Sequence, residues 1–131
     1  MKFILMMHAR RDANTGFNDK GDWSLFSWPK SALKKHMDFL NAFNADLEKR
    51  GALVSIAGLS PPGQARMVKA RGKSLPTTDG VFPESKEFLA GWWIIDVASI
   101  EEACELAGRA SSAPGPDGEP LNMEIEVRQL M

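Results

Sequence analysis

The sequence has little cysteine, no dominant charge and no long apolar run, and each absence excludes a class of protein. The single cysteine, Cys104, cannot form a disulfide within the chain. The 16 basic and 17 acidic residues nearly cancel, and no block of one sign indicates a nucleic-acid or membrane-surface interface. No apolar segment approaches the ~18 residues of a membrane span. We therefore expect no direct nucleic-acid or membrane partner, and instead small molecules or proteins.

Motifs for nucleotide and metal chemistry are also missing. There is no P-loop, no dinucleotide-binding glycine pattern and no paired-cysteine spacing. The two histidines, His8 and His36, lack the spacing of a metal motif. We therefore expect a site that works without a cofactor or metal. The opening "MKFILMMHARR" has an apolar run shorter than that of a signal peptide, which favours a cytoplasmic protein.

What is present is a regular alternation of apolar segments that fits one domain over residues 1–131. A helix is predicted from Pro29 to Arg50, with Ser27 as its cap, and a second helix follows Ser99. A hairpin is predicted around Arg71-Gly72-Lys73, with Pro76 placing its second arm at a sheet edge. The remaining apolar runs predict strands at 2–8, 52–59, 91–97 and 121–130.

Both predicted helices have an apolar stripe. The stripe of the first comprises Leu33, Met37, Leu40 and Leu47, flanked by Phe43. In the second, Ser99 and Glu102 form a capping box, and one face carries Ile100, Ala103, Cys104 and Ala107. We therefore interpret Cys104 as a small core residue.

The order of these elements predicts a ferredoxin-like α+β sandwich, in which two helices cover one face of an antiparallel sheet. The first strand is apolar on both sides, and so is the segment containing Trp92, Trp93, Ile94 and Ile95. Two helices cover only one of these faces, so the second face needs another cover. We therefore predict a homodimer.

The segment from Arg10 to Ser27 is too long for a plain connection and carries Phe17, Trp23 and Phe26. Two interpretations are open: a functional lid, or a loop held in place by its own aromatic residues.

Several separated motifs resemble the DGPF-domain branch of the YCII-related proteins. They are "GLSPPGQARMV", "TDGVFPESKEFLAGWWIIDV", "SIEEA" and "EIEVR", in the same order and spacing. The motif Asp-Gly-Pro-Phe is changed here to Asp79-Gly80-Val81-Phe82. The resemblance implies a ferredoxin-like protomer and a dimeric α+β barrel. It supplies no reaction, since these proteins are largely of unestablished function; some relatives have been proposed as enzymes and some are linked to sigma factors.

The resemblance also directs attention to His36 and Asp79. His36, in "KKHMDFL", resembles the helical histidine of a His-Asp pair proposed as the catalytic centre in YCII proteins. Imidazole can shuttle protons near neutral pH. The alternative for His36 is a boundary histidine bonded to backbone or water, and the alternative for Asp79 is a turn residue before Gly80.

Four further residues are candidates for ligand binding. Glu87 would orient a ligand or form a solvated pair with Lys86, and Trp92 would stack on a flat ligand or pack a dimer interface. His8, at the predicted end of the first strand, would reach the same cleft or be solvated. Arg66 would bind a carboxylate or phosphate, or pair with Glu124 or Glu126 at the surface.

Two functions therefore stay open. The first is a dimer whose cleft binds a small organic molecule of unknown identity and performs proton-transfer chemistry, of isomerase or lyase type, with His36 as acid/base and Asp79 orienting or charging it. The second is a binding or regulatory module without catalysis that acts with a transcription factor.

Overall fold

The computed structural model describes residues 1–74, 77–80 and 87–131. Its strands are β1 (Lys2–Arg10), β2 (Leu53–Gly58), β3 (Arg66–Val68), β4 (Thr77–Asp79), β5 (Glu87–Asp96) and β6 (Ile125–Gln129). Its two α-helices over these ranges are α1 (Lys30–Lys49) and α2 (Ile100–Ser111). None of the described helices is long and apolar enough to span a membrane.

Four of these strands form an antiparallel sheet in the order β2-β5-β1-β6, and β3 and β4 form a separate hairpin. With the hairpin set aside, the elements follow the order βαββαβ, which is that of the split βαβ motif. The predicted α+β architecture, an antiparallel sheet with two helices, is thereby confirmed.

The register of β1 and β5 divides their side chains between two faces of the sheet. Phe3 pairs with Ile95 and Leu5 with Trp93, and residues paired in this way point to the same side. We call this side the inner face. The alternate residues, Ile4 with Ile94 and Met6 with Trp92, point to the other side, the outer face.

The core lies between the inner face and the two helices. Phe3, Leu5 and Ile95 are completely buried, and Trp93 is only 4% exposed. They belong to a cluster to which α1 contributes Phe43 and Leu47 and α2 contributes Ala103, Leu106, Ala107 and Ala110. Because one cluster contains residues of both helices, both cover the inner face.

Two details predicted for α1 are wrong. The side chain of Ser27 does not cap the helix, because the N-cap position is Pro29 and no side-chain bond is made there. Met37 does not belong to the buried row and is 44% exposed. The buried row instead comprises Ala32, His36, Phe43 and Leu47. His36 is therefore a buried member of this row rather than a residue at its border.

The placement of Cys104 in the core is also wrong, because this residue is exposed. The buried row of α2 comprises Ala103, Leu106, Ala107 and Ala110, and Cys104 lies one position beyond it. The predicted capping box is confirmed. Ser99 Oγ accepts from the Glu102 amide at 3.2 Å, and Glu102 Oε2 accepts from the Ala98 amide at 3.1 Å.

Strand boundaries differ from prediction mainly around the site. β1 runs to Arg10, so His8 lies within the strand rather than at its end, next to a bulge after Met7. β5 begins at Glu87, four residues before the predicted start. The hairpin is confirmed by the pairing of β3 with β4. The predictions made for Pro76, Val81, Phe82 and Lys86 fall outside the described residues.

Candidate functional site

A pocket of about 400 Å³ lies between α1, the ends of β1 and β2, the middle of β5, and the segment that precedes α1. The chain has four tryptophans, and all of them line it: Trp23, Trp28, Trp92 and Trp93. The rest of the described lining is mostly aliphatic, with His36, Asn41, Asn44 and Thr15 as its polar side chains. This size and this composition are typical of sites for small organic molecules.

The segment before α1 forms one wall of the pocket and is held by its own residues. Phe17 is completely buried and packs edge-on against Phe88, with ring centroids 5.5 Å apart. Trp23 Nε1 donates to the Leu59 carbonyl at 3.0 Å. Gly16 approaches β1 so closely that a Cβ would lie 1.8 Å from the Arg10 carbonyl oxygen, so this position requires glycine. Of the two interpretations of this segment, the structure supports a loop fixed by its aromatics.

His36 is 4% exposed and lies against two other segments of the chain. Its Nδ1 is 2.9 Å from the carbonyl oxygen of Pro114, in the loop after α2. Its ring packs edge-on against Trp28, with centroids 5.3 Å apart and planes at 86°. Trp28 is itself fixed, since its Nε1 donates to the Asn14 carbonyl at 2.6 Å.

The bond to Pro114 determines the tautomer of His36. A carbonyl oxygen only accepts, so Nδ1 carries the hydrogen, and in the neutral ring Nε2 then has a free lone pair. Nε2 makes no hydrogen bond in the described part of the chain. No fully buried side-chain N or O atom of the described residues lacks a partner, so Nε2 must retain accessible surface. His36 lines the pocket, and Nε2 is its ring nitrogen without a partner among the described residues.

The Pro114 carbonyl is placed by a compact turn rather than by a long free loop. The Leu121 amide donates to the Ala113 carbonyl at 2.9 Å, and the Gly115 amide donates to the Glu119 carbonyl at 2.7 Å. These bonds close the loop on both sides of Pro114. The orientation of His36 is therefore set by backbone of the chain after α2.

The two neighbouring tryptophans of β5 have different environments. Trp93 points to the inner face, donates from Nε1 to Asn44 Oδ1 at 2.7 Å, and packs edge-on against Phe43. Trp92 points to the outer face and is half-buried. The prediction that one of the two faces away from the helices is confirmed.

Asp79 is not brought to His36. It lies at the end of β4, where its Oδ1 is 3.0 Å from Arg66 Nε, and both side chains are exposed. No hydrogen bond or ion pair joins Asp79 to His36 in this structure, and Asp79 is not part of the described pocket lining. Arg66 also donates to the Ala65 carbonyl at 3.1 Å, so its partners are Asp79 and backbone rather than Glu124 or Glu126.

His8 and Glu87 belong to a group of ionisable residues beside the pocket. His8 Nε2 lies 3.0 Å from Glu126 Oε1, and Glu87 Oε2 lies 3.8 Å from Arg10 Nε. Arg10 also bonds to Glu124 at 2.9 Å, and this hydrogen bond, with the charges of both carboxylates, raises the pKa of the guanidinium. A second cavity of about 290 Å³, lined in part by His8 and Arg10, shares Thr15, Leu121 and Met123 with the first.

The structure thus places His36 in the pocket wall and His8 in the adjoining cavity, and leaves Asp79, Arg66 and Glu87 outside the described pocket lining. Trp92 belongs to that lining, but its side chain points to the outer face, away from His36. Sequence reasoning missed Trp28 and Pro114. The sequence signal for Trp28 is an aromatic residue directly before Pro29, the N-cap of α1. For Pro114 the only sequence signal is the Pro- and Gly-rich composition of its loop, which indicates no contact with His36. Among the described residues there is no cluster of three His, Cys, Asp or Glu that would hold a metal ion.

Two comparisons bear on this site. The family model of the YCII-related domain matches residues 1–114, which include His36 and Pro114. "Uncharacterized protein R00369" of Rhizobium meliloti (strain 1021) is 32% identical over 114 residues, which cover 87% of this chain and 86% of that protein.

Proposed function

The chain belongs to the YCII-related domain family, and on that basis we propose that its pocket binds a small organic molecule and that His36 accepts a hydrogen bond or a proton from it. One observation carries this proposal. A buried histidine on the pocket wall has its Nδ1 bonded to a carbonyl and its Nε2 without a partner. A ring nitrogen without a protein partner, on a side chain that is only 4% exposed, can take a hydrogen bond from a ligand.

The arrangement also suits general base catalysis. A base must lie within hydrogen-bond reach of the proton it takes and must be held in the correct tautomer. The Pro114 carbonyl meets the second requirement here, where the family resemblance suggested a carboxylate. That the site works without a cofactor remains a prediction. A contribution from Asp79 or Glu87 remains a prediction.

Binding can be tested by closing the pocket from its rim. Asn41 is exposed and lines the pocket, whereas Ala45, one turn further along α1, is exposed and is not part of the described lining. We expect Asn41→Phe to weaken the binding of fragments found by calorimetric screening by at least about tenfold, and Ala45→Phe to leave it unchanged. Equal affinities in the two variants would contradict ligand binding in this pocket.

Catalysis is tested at His36. Asn places an amide nitrogen near the position of Nδ1, so His36→Asn can keep the bond to Pro114 while it removes Nε2. We expect this variant to keep its fold and to lose turnover of any substrate by about 10²-fold or more. Unchanged turnover in a folded His36→Asn variant would exclude His36 as the base.

A second candidate is a binding or regulatory module without catalysis. One observation favours it: among the described residues His36 has no carboxylate partner, and Asp79 pairs with Arg66 instead. This candidate would be supported by a ligand that binds to the pocket and is released unchanged, together with no turnover of a panel of isomerase and lyase substrates. Association with a transcription factor remains a prediction.

We also propose that the protein is a homodimer of ferredoxin-like protomers, closed into an α+β barrel through the outer face, and that it belongs to the DGPF-domain branch. The half-buried residues Ile4, Met6, Trp92 and Ile94 support the dimer, because they place apolar surface side by side on that face. Location in the cytoplasm is part of the same proposal.

A further inference from the structure

We infer that the ligand of this pocket is an uncharged, flat, mostly apolar molecule that carries one hydrogen-bond donor for His36 Nε2. The inference rests on the proposed function and adds to it a chemical class. Its basis is the combination of charge, polar groups and exposed apolar surface at the pocket.

The first step concerns charge. Within residues 1–74, 77–80 and 87–131, no Lys, Arg, Asp or Glu lines the pocket, and His36 is the titratable side chain of its wall. The nearby charged residues Arg10 and Glu124 line the adjoining cavity and already pair with each other. A carboxylate or ammonium inside the pocket would lose its hydration without an ion-pair partner, which is strongly unfavourable. The lining therefore selects against charged ligands.

The second step concerns polar contacts. Thr15 and Asn41 are exposed, and the Asn44 carbonyl oxygen already accepts from Trp93. Nε2 of His36 is thus the acceptor in a buried side chain that a ligand can satisfy. A molecule without a donor would leave Nε2 unsatisfied once water is displaced. This loss is typically sufficient to change affinity by about tenfold.

The third step concerns shape and extent. The edges of Trp28 and Trp93 are fixed by hydrogen bonds from their indole nitrogens, so the aromatic walls are rigid. Large apolar side chains at the pocket also remain unusually exposed: Phe26 by 64%, Met37 by 44%, Ile56 by 43% and Leu59 by 38%. A flat apolar ligand can cover such surface by stacking and van der Waals contact. A small polar ligand would leave it in water.

Three matched probes test this class by calorimetry: 2-naphthol, which is neutral and carries a donor; 2-methoxynaphthalene, which has no donor; and 2-naphthoate, which is charged. We expect 2-naphthol to bind about tenfold more tightly than 2-methoxynaphthalene. We expect 2-naphthoate to bind at least about 100-fold more weakly than 2-naphthol. In His36→Asn the advantage of 2-naphthol over 2-methoxynaphthalene should disappear, whereas Met67→Ala, on the separate hairpin, should keep it.

The outcomes separate the inference from the proposed function. Tightest binding of 2-naphthoate, or equal binding of 2-naphthol and 2-methoxynaphthalene to the wild type, would overturn the inferred class and leave a ligand pocket in place. Binding of none of the three would also overturn the inferred class, and the comparison of fragment binding to Asn41→Phe and Ala45→Phe then decides the proposed function. If His36→Asn does not fold, the ratio of the two neutral probes on the wild-type protein still decides, because it tests the donor requirement directly.

Discussion

The inner and outer faces of the sheet have nearly the same apolar sequence but different environments. Leu5 and Ile95 on the inner face are completely buried under the helices, whereas their neighbours Met6 and Ile94 on the outer face remain partly exposed. The difference arises from what covers each face, since strand alternation supplies apolar residues to both. The inner face is covered within the chain, and the outer face is the surface that the proposed dimer would bury. Four experiments test this contrast.

The largest effect is expected from truncation on the inner face. Leu5→Ala removes a completely buried side chain and leaves a cavity in the core, so it should lower the free energy of unfolding by about 2–5 kcal/mol. Ile4→Ala, its neighbour on the half-exposed outer face, should cost less than half as much in the protomer. Urea denaturation measures both, at a protein concentration low enough to avoid association. Equal costs would mean that the outer face is as well covered as the inner one.

A charge on the outer face should break the proposed dimer. Ile94 on this face pairs with Ile4 of β1 and with Ser55 of β2, neither of which is charged. Ile94→Lys would therefore bury an unpaired ammonium in the interface, which should raise the dissociation constant by about 100-fold or more. Sedimentation should then find a dimer for the wild type and a monomer for the variant. A wild-type monomer at micromolar concentration would instead contradict the dimer and the barrel.

The two tryptophans of β5 offer a finer comparison. Trp93→Phe removes the indole donor and leaves the carbonyl oxygen of Asn44 without its bond, so we expect a loss of about 1–2 kcal/mol in unfolding free energy. The Trp92 side chain makes no hydrogen bond to the described residues, so Trp92→Phe should cost less in the protomer, while it weakens the proposed dimer. The reverse order of protomer stabilities would show that the indole bond to α1 contributes little to the core.

Much of the fold follows from local patterns. Period-two alternation in β1 and β5 is enough to predict two apolar faces, and Ser99 with Glu102 is enough to predict the start of α2. The buried rows of the helices were harder to predict, because adjacent rows differ by one position. In α2 the buried row consists mainly of alanines, and the small Cys104 lies one position away from it. The apolar pattern fits both neighbouring faces equally well, so it predicts Cys104 in the core although this residue is exposed.

The site was less accessible to sequence reasoning. His36 was identified through a family resemblance, but its partners come from distant parts of the chain: Pro114 is 78 residues away, and Trp28 belongs to the loop before α1. No local sequence pattern predicts that a helix, the loop before it and a distant backbone carbonyl meet at one histidine. The resemblance suggested a carboxylate at His36, and the structure has a backbone carbonyl there instead.

The smallest expected effect concerns the ion pairs that hold the helices over the inner face. Asp46 of α1 lies 2.9 Å from Arg109 of α2 and 2.6 Å from Arg50, and the hydrogen bonds from these two arginines hold its pKa below the ordinary value of 3.8. A carboxyl group whose pKa is lower in the folded state stabilises the fold above its unfolded pKa. This contribution is lost as the pH falls from 3.8 through the folded pKa. Unfolding free energies at about pH 6 and about pH 3 should therefore differ less in Asp46→Asn than in the wild type.

Asp38→Asn is the matched control, because Asp38 pairs with Lys34 within α1 and joins no second helix. If both variants change the pH dependence equally, the link between α1 and α2 has no special role in covering the inner face.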